Sequence, residues 1–85
     1  MKVAYTPKFL RMLKKLPTDL QEETLVRIEL FKDVKNHQFL KVHKLKGRIK
    51  KYYGFSVDFK NRVVFDYLSN GEVILLMIGD HNIYK

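Results

Sequence analysis

The feature that most constrains the fold is a change in the spacing of apolar residues near the middle of the chain. From Pro7 to about Val34, apolar residues recur every three to four positions, which is the period of an α-helix lying on a core. From Tyr53 to Ile78 they alternate or run continuously, as in half-buried and fully buried β-strands. Eighty-five residues leave no room for a second core. One α+β domain is therefore predicted over residues 1–85.

Two short helices are predicted in the first half of the chain. Residues Met1–Tyr5 indicate a short strand, after which Thr6-Pro7 has the residue types of a helix start. Pro17 ends this helix, and Thr18 with Gln21 has the spacing of a capping box, so a second helix should begin at once. The inward stripe of that helix is predicted to be Leu20, Thr24, Leu25, Ile28 and Phe31. Two amphipathic helices joined at a proline should form a hairpin.

Three strands are predicted in the second half. They are Tyr53–Phe59, Arg62–Leu68 and Glu72–Ile78, joined by a tight turn at Lys60-Asn61 and a hairpin turn at Ser69–Gly71. The last strand is apolar on both faces, so it should lie inside the sheet rather than at its edge.

The two faces of this sheet are expected to differ. The residues predicted to face the helices are Phe55, Val57, Val63, Phe65 and Tyr67. The opposite face is expected to be open, to carry Arg62, and to be bordered by the segment Lys41–Lys51, which would form a groove for a phosphate backbone. Residues 39–45 leave room for a further strand or extended edge.

The distribution of charge points to a polyanionic partner. The net charge is +8, which is a strong field for a small protein. Six Lys or Arg and no acid lie between Lys41 and Lys51, whereas five of the nine acids lie between Asp19 and Asp33. An isolated charge run is usually a solvated face, but a one-sided patch favours nucleic acid. An acidic protein partner fits the charge equally well.

Composition excludes several classes of protein. There is no cysteine, which argues against a disulfide-stabilised secreted domain and against a zinc-stabilised one. No apolar run has the character of a signal peptide or of a membrane span, so a cytoplasmic location without a membrane partner is expected. The histidines lack closely spaced partner ligands, so no metal site is expected. Neither Ser56 nor Ser69 stands in a nucleophile elbow, which argues against a serine hydrolase.

Three side chains have the chemistry needed to cleave RNA through its own 2′-hydroxyl. That reaction needs a base, a cation for the phosphorane and an acid for the leaving oxygen; His43 and His81 suit the proton roles and Arg62 the phosphate. Each also has a structural interpretation: a polar residue in a basic segment, a solvated turn histidine and a salt-bridge partner. Spacing alone does not show that these residues and Tyr84 converge.

Three segments resemble the mRNA-cleaving RelE, YoeB and YafQ branch of the RelE/ParE toxin superfamily: His43–Gly47, Arg62–Phe65 and Gly79–Tyr84. The likeness extends over essentially the whole chain. It implies an N-terminal strand and a helical hairpin packed on one face of a small antiparallel sheet. It also implies a type II toxin that cuts mRNA in the ribosomal A site, needs no cofactor and is blocked by a cognate antitoxin.

The resemblance assigns a role to individual residues. It implies that His43 is the base, Arg62 the phosphate-binding arginine, His81 the acid and Tyr84 the aromatic residue near the C-terminus, with Lys46 beside the phosphate. RNA contacts are also expected from the rest of the basic segment: Lys44, Arg48, Lys50 and Lys51.

The sequence departs from the family pattern in two places. Lys44 stands where the family usually has proline, and the strand before Arg62 lacks the lysines of members with a lysine-rich site. The second departure favours the histidine-based chemistry.

A non-catalytic ParE-like toxin that binds a protein such as DNA gyrase is the alternative. It would share the fold and the antitoxin but would need no His43, Arg62 and His81, so their joint presence favours cleavage. A simple nucleic-acid-binding module would explain the charge but not the matched motifs.

Overall fold

A five-stranded sheet forms the centre of the molecule. The computed structural model describes residues 1–84, and the side chains of residues 1–83. The strands are β1 (Val3–Tyr5), β2 (His43–Lys44), β3 (Tyr53–Ser56), β4 (Arg62–Tyr67) and β5 (Val73–Gly79). Their order across the sheet is β1-β5-β4-β3-β2, which places the apolar β5 inside the sheet as predicted.

Strands β2 to β5 pair in antiparallel fashion, as expected from the sequence. Strand β1 differs, because it lies parallel to β5 at the edge of the sheet. The direction of a pairing between the two ends of a chain is not fixed by any turn, so the sequence pattern did not specify it. The fold is α+β, with a mostly antiparallel sheet.

The two predicted helices are α1 (Pro7–Lys14) and α2 (Thr18–Phe31). The start of α1 is confirmed, because the Thr6 hydroxyl accepts a hydrogen bond from the Phe9 N–H at 3.1 Å. The same hydroxyl donates to the Leu75 carbonyl at 2.9 Å. One threonine therefore both caps the helix and ties it to β5.

The predicted capping box at the start of α2 is wrong. Pro17 occupies the N-cap position and makes no side-chain cap hydrogen bond. Gln21 instead donates from Nε2 to the carbonyls of Leu16 at 2.7 Å and Lys14 at 3.2 Å. The last carbonyls of a helix lack partners within the helix, and the chain reversal at Pro17 brings those of α1 within reach of α2.

The main core lies between the helical hairpin and the sheet. It includes Phe9 and Leu13 of α1, Ile28 and Phe31 of α2, and most of the buried side chains of β3, β4 and β5. Within α2, Thr24 is buried as predicted and its hydroxyl donates to the Leu20 carbonyl. Leu25 was expected in the same stripe, but it is 47% exposed because it lies on the flank of the helix.

Strand β3 ends at Ser56, three residues earlier than the predicted end at Phe59. A loop at Val57–Asn61 replaces the predicted tight turn, and the Asp58 carboxylate holds it by accepting hydrogen bonds from the backbone N–H groups of Lys60 and Asn61 at 2.8 and 2.6 Å. Phe59 consequently leaves the sheet and is 98% exposed.

The second face of the sheet is not open, contrary to expectation. Leu45, Val64 and Met77 form a small buried cluster there, and Ile49, Tyr52 and Ile83 pack against it. The basic segment therefore folds over this face instead of bordering it. A β-bulge between β4 and β5 near Val64 and Phe65 accompanies this second cluster.

Candidate functional site

His43 lies on β2, a two-residue edge strand, and its Cα pairs with that of Gly54 on β3. A Cβ at position 54 would lie 3.1 Å from Leu45 Cδ2 and 3.3 Å from the Val63 carbonyl oxygen. Glycine therefore lets the Leu45 side chain lie against the strand. This packing fixes the segment that carries His43.

A helical turn before β2 sets the orientation of the His43 ring. Lys41 ends this turn in the left-handed region at φ 59°, with its own N–H donating to the Gln38 carbonyl and the Val42 N–H donating to the His37 carbonyl. This is the hydrogen-bond pattern of a Schellman motif, in which glycine usually occupies the position of Lys41.

The carbonyl of Lys41 lies 2.7 Å from His43 Nδ1. Because a carbonyl only accepts hydrogen bonds, Nδ1 carries the proton in this contact. The neutral ring then has its lone pair on Nε2, which is the form that a general base requires.

Arg62 begins β4, between Ser56 of β3 and Gly79 of β5. It is half-buried, and none of the salt bridges in the described part of the chain involves it. Within that part, the salt-bridge interpretation of Arg62 is therefore wrong. Because no carboxylate of the described residues forms a salt bridge with it, the Arg62 guanidinium is available to an external anion.

A cavity of about 340 Å³ brings several of the predicted residues together. Its lining residues are His43, Lys44, Leu45, Lys46, Ile49 and Arg62. One imidazole and three cationic side chains thus surround a single space. Such a site attracts a phosphate and places a proton acceptor beside it.

A second cavity, of about 390 Å³, shares His43 and Arg62 with the first. The other lining residues are Arg27, Phe39, Lys41, Ser56, Val57, Asp58 and Phe59. The two spaces are therefore neighbours, and His43 and Arg62 stand between them.

His81 does not line either of these cavities. It is exposed and begins the short 3-10 helix His81–Tyr84, which is separated from β5 by Asp80. Gly79 pairs with Arg62 across the sheet, so His81 belongs to the same end of the sheet as Arg62. At Gly79 the chain has φ 153°, and a Cβ there would lie 2.5 Å from Ile83 Cγ2. Glycine therefore allows the 3-10 helix to fold back. The Tyr84 side chain lies outside the described residues.

The rest of the basic segment points elsewhere. Arg48, Lys50 and Lys51 are exposed on or after the 3-10 helix Gly47–Ile49, and they line neither cavity. Lys51 Nζ lies 5.1 Å from the centre of the Tyr52 ring. The predicted basic patch thus divides into Lys44 and Lys46 at the first cavity, Lys41 at the second, and an outer set of three on the surface.

Sequence reasoning missed four residues of the second cavity: Arg27, Phe39, Asp58 and Phe59. Arg27 lies on α2, where acidic side chains predominate. The alternation of apolar and polar residues placed Phe59 in a predicted strand. One signal was present, because Asp58 followed by Asn61 is typical of a loop held by its own side chains. Among the described residues, no group of three or more His, Cys, Asp or Glu side chains is gathered as in a metal site. No helix in residues 1–84 is both long and apolar enough to cross a bilayer.

Comparison with solved structures shows a shared fold. A RelE–RelB complex from the archaeon Pyrococcus horikoshii contains a chain with 16% identity and a TM-score of 0.71, over 93% of this chain and 92% of that one. A chain of the YoeB–YefM complex of Staphylococcus aureus has 14% identity and a TM-score of 0.70, over 95% of this chain and 97% of that one. A conserved hypothetical protein of Helicobacter pylori is 18% identical to this chain with a TM-score of 0.73, and the match covers 96% of each chain. By sequence, the chain matches no family model and no curated protein.

Proposed function

We propose that this chain, which has the fold of the RelE and YoeB toxins, is itself the toxin of a type II toxin–antitoxin system. In this proposal it cuts ribosome-bound mRNA in the A site as a metal-independent endoribonuclease and thereby inhibits translation. The observation that carries the proposal is the cavity lined by His43 and Arg62 together with Lys44 and Lys46. Fold alone does not decide function, whereas the residues of this cavity have the chemistry that the reaction needs.

The first step of the proposed reaction is removal of a proton. His43 Nε2 takes the proton of the 2′-hydroxyl, since Nδ1 is engaged with the Lys41 carbonyl. The 2′-oxygen then attacks the adjacent phosphorus, and the bond between phosphorus and the 5′-oxygen breaks. The products are a 2′,3′-cyclic phosphate and a 5′-hydroxyl.

The developing negative charge needs cations at the phosphate. Arg62 suits this role because its planar fork binds two phosphate oxygens and no carboxylate neutralises it among the described salt bridges. Lys44 and Lys46 line the same cavity and supply further positive charge. Arg48, Lys50 and Lys51 would hold the backbone of the RNA outside the cavity.

The leaving 5′-oxygen needs a proton. His81 is our candidate for the acid, with Tyr84 as the second group at this position. His81 follows the strand that pairs with Arg62, and it is exposed. A bound RNA would have to bridge the space between His81 and the cavity. Catalytic contacts of this kind often form only in the complex with substrate.

A cognate antitoxin is part of the proposal, as are the ribosome and a cytoplasmic site of action. Two of the solved structures are complexes of a toxin-fold chain with RelB or YefM. A chain with a net charge of +8 would attract an acidic, partly disordered segment. Copurification of such a segment with the chain would support this part of the proposal.

The test is induced expression without antitoxin, followed by mapping of mRNA ends. Growth should stop, and new 5′ ends should fall within the codons of translated messages. The Arg62→Ala variant should grow. Arg11→Ala is the matched control, because it removes the same charge from an exposed position on α1 and should remain toxic. Growth arrest with intact mRNA and trapped gyrase–DNA complexes would instead identify a ParE-like toxin.

A further inference from the structure

Two exposed aromatic rings border the second cavity. Phe59 is 98% exposed and Phe39 is 64% exposed, and both line the space of about 390 Å³ that also holds His43 and Arg62. The volume lies within the range of about 300–1,000 Å³ of small-molecule binding sites. Exposed phenylalanines that share one cavity form an apolar surface without a cover in the isolated chain.

Cations surround these rings. Arg27, Lys41 and Arg62 line the cavity together with His43. The Arg27 guanidinium carbon lies 5.1 Å from the centre of the Phe39 ring, and Arg27 Nε lies 3.4 Å from a carboxylate oxygen of Glu23. These contacts hold the Phe39 ring beside a planar cation.

The carboxylate of Asp58, which also lines the cavity, already has hydrogen-bond partners within its own loop. The Asp58 carboxylate accepts hydrogen bonds from the Lys60 and Asn61 backbone and from the Asn61 side chain. It thereby fixes the loop that carries Phe59. The cavity combines aromatic surfaces and positive charge, and Asp58, the one carboxylate among its described lining residues, serves the loop. This combination suits a ligand that is flat, apolar on its faces and attached to an anion.

We propose that this cavity binds one unstacked base of single-stranded RNA beside the phosphate at Arg62, with Phe59 and Phe39 as stacking surfaces and Lys41 and Arg27 as phosphate contacts. The inference rests on the proposed function in taking RNA as the ligand. Single-stranded RNA is recognised by stacking its splayed bases on aromatic rings or arginine planes. Because His43 and Arg62 line both cavities, a base in one would lie next to the phosphate in the other.

The experiment measures binding without cleavage. A 5′-labelled 2′-O-methyl oligouridine, which lacks the attacking hydroxyl, is titrated with the protein and followed by fluorescence anisotropy. Phe59→Ala should weaken binding by about 5- to 100-fold, the value of one stacked base, and Phe59→Tyr should retain it. The matched control is Val34→Ala, which removes an apolar side chain that is 66% exposed and lines neither of the two cavities.

A second oligonucleotide separates stacking from a general loss of contact. On an abasic chain of the same length, the effect of Phe59→Ala should disappear, because no base remains to stack. An equal loss on both oligonucleotides, or no loss on either, would overturn the inference. If Phe59→Ala leaves RNA binding intact but weakens binding of the antitoxin, the cavity belongs to a protein partner.

The outcome also separates this inference from the proposed function. A base-dependent effect of Phe59 without cleavage of ribosome-bound mRNA would mean that the chain binds RNA but does not cut it. Cleavage of mRNA without any base-dependent effect of Phe59 would overturn the base site alone.

Discussion

A single residue in an unfavourable backbone conformation orients the candidate base. Lys41 has φ 59°, and its carbonyl lies 2.7 Å from His43 Nδ1. The left-handed conformation costs a residue with a Cβ about 1–2 kcal/mol. Strain of this kind persists where the surrounding hydrogen bonds enforce it, and it is common at functional sites.

Replacing Lys41 tests this cost. Lys41→Gly should leave the free energy of unfolding unchanged or raise it by up to about 1 kcal/mol, since glycine adopts this conformation freely but has a more flexible unfolded state. Lys41→Val should lower it by roughly 1 kcal/mol or more, because a β-branched residue is a poor fit to positive φ. Urea denaturation of the three proteins measures the difference. Equal stabilities of all three would show that position 41 carries no strain.

The candidate catalytic residues should affect the rate of cleavage more than binding. His81→Ala should slow single-turnover cleavage on programmed ribosomes by about 10²–10⁴-fold, the usual value of a general acid. Arg62→Ala should slow it by about 10²–10³-fold, because the arginine meets charge that develops in the transition state. Ribosome affinity should change little in both. Parental rates for His81→Ala and His43→Ala together would contradict the assignment of acid and base.

Among the elements, the loop Val57–Asn61 depends on a titrating group, the Asp58 carboxyl. Partial burial tends to raise the pKa of the Asp58 carboxyl, but hydrogen bonds from Asn61 and Lys60 outweigh it and hold the pKa below its ordinary value of 3.8. A lowered pKa means that folding favours the carboxylate. The loop is therefore fully stabilised above pH 3.8 and loses this contribution as the pH falls through the lowered value.

Amide exchange of Lys60 and Asn61 measures this dependence. Protection should fall in wild-type protein as the pH drops below 3.8, after correction for the intrinsic exchange rate. Asp58→Asn retains an acceptor oxygen but does not titrate, so its corrected protection should be independent of pH in this range. Asp58→Ala should lose protection at every pH and destabilise the protein by about 1 kcal/mol. Identical profiles for the wild type and Asp58→Asn would mean that the carboxylate does not hold the loop.

The sequence predicted structural elements correctly where the stabilising hydrogen bond joins residues that are close together in the chain. The Thr6 cap needs only residues 6–9, and it is present. The capping box at Thr18 is absent because the Gln21 side chain instead donates to the carbonyls of Lys14, at the end of α1, and Leu16, in the turn that follows. The covered face of the sheet was also not predicted, because the packing of Leu45 against Gly54 is a contact between segments that no local sequence signal specifies. The strand and charge patterns predict a groove formed by Arg62 and the basic segment, but spacing does not specify that the His43 and Arg62 side chains share one cavity.

At the scale of the whole molecule, the charges are separated. The three described salt bridges all lie between residues 23 and 35, on or just after α2. Arg48, Lys50 and Lys51 are exposed on the segment that folds over the opposite face of the sheet from the helices. In the proposed function, this outer set would attract RNA over a distance without sequence preference.

Charge reversal of Lys50 and Lys51 together, to glutamate, should separate attraction from chemistry. Binding to programmed ribosomes should weaken, and the dependence of its logarithm on the logarithm of salt concentration should become shallower, because fewer counterions are released. Single-turnover cleavage at saturation should stay close to the parental rate. Lys8→Glu with Lys15→Glu, on the exposed side of α1 and the turn after it, gives the same change in net charge as a control. Equal losses of affinity in the two double variants would mean that only net charge matters.

The parallel pairing of β1 with β5 has a consequence for biosynthesis. It joins residues 3–5 to residues 73–75, and the Thr6 hydroxyl that caps α1 also needs the Leu75 carbonyl. Strand β1 therefore stays without its pairing partner during synthesis until β5 has emerged from the ribosome. Pairings between segments so far apart in the sequence form slowly. Arg62 likewise lacks its neighbour on one side until Gly79 arrives. A nascent chain that stops before β5 would lack one of the inner strands of its sheet and the Gly79 pairing beside Arg62, so the proposed activity would have to wait until β5 is made.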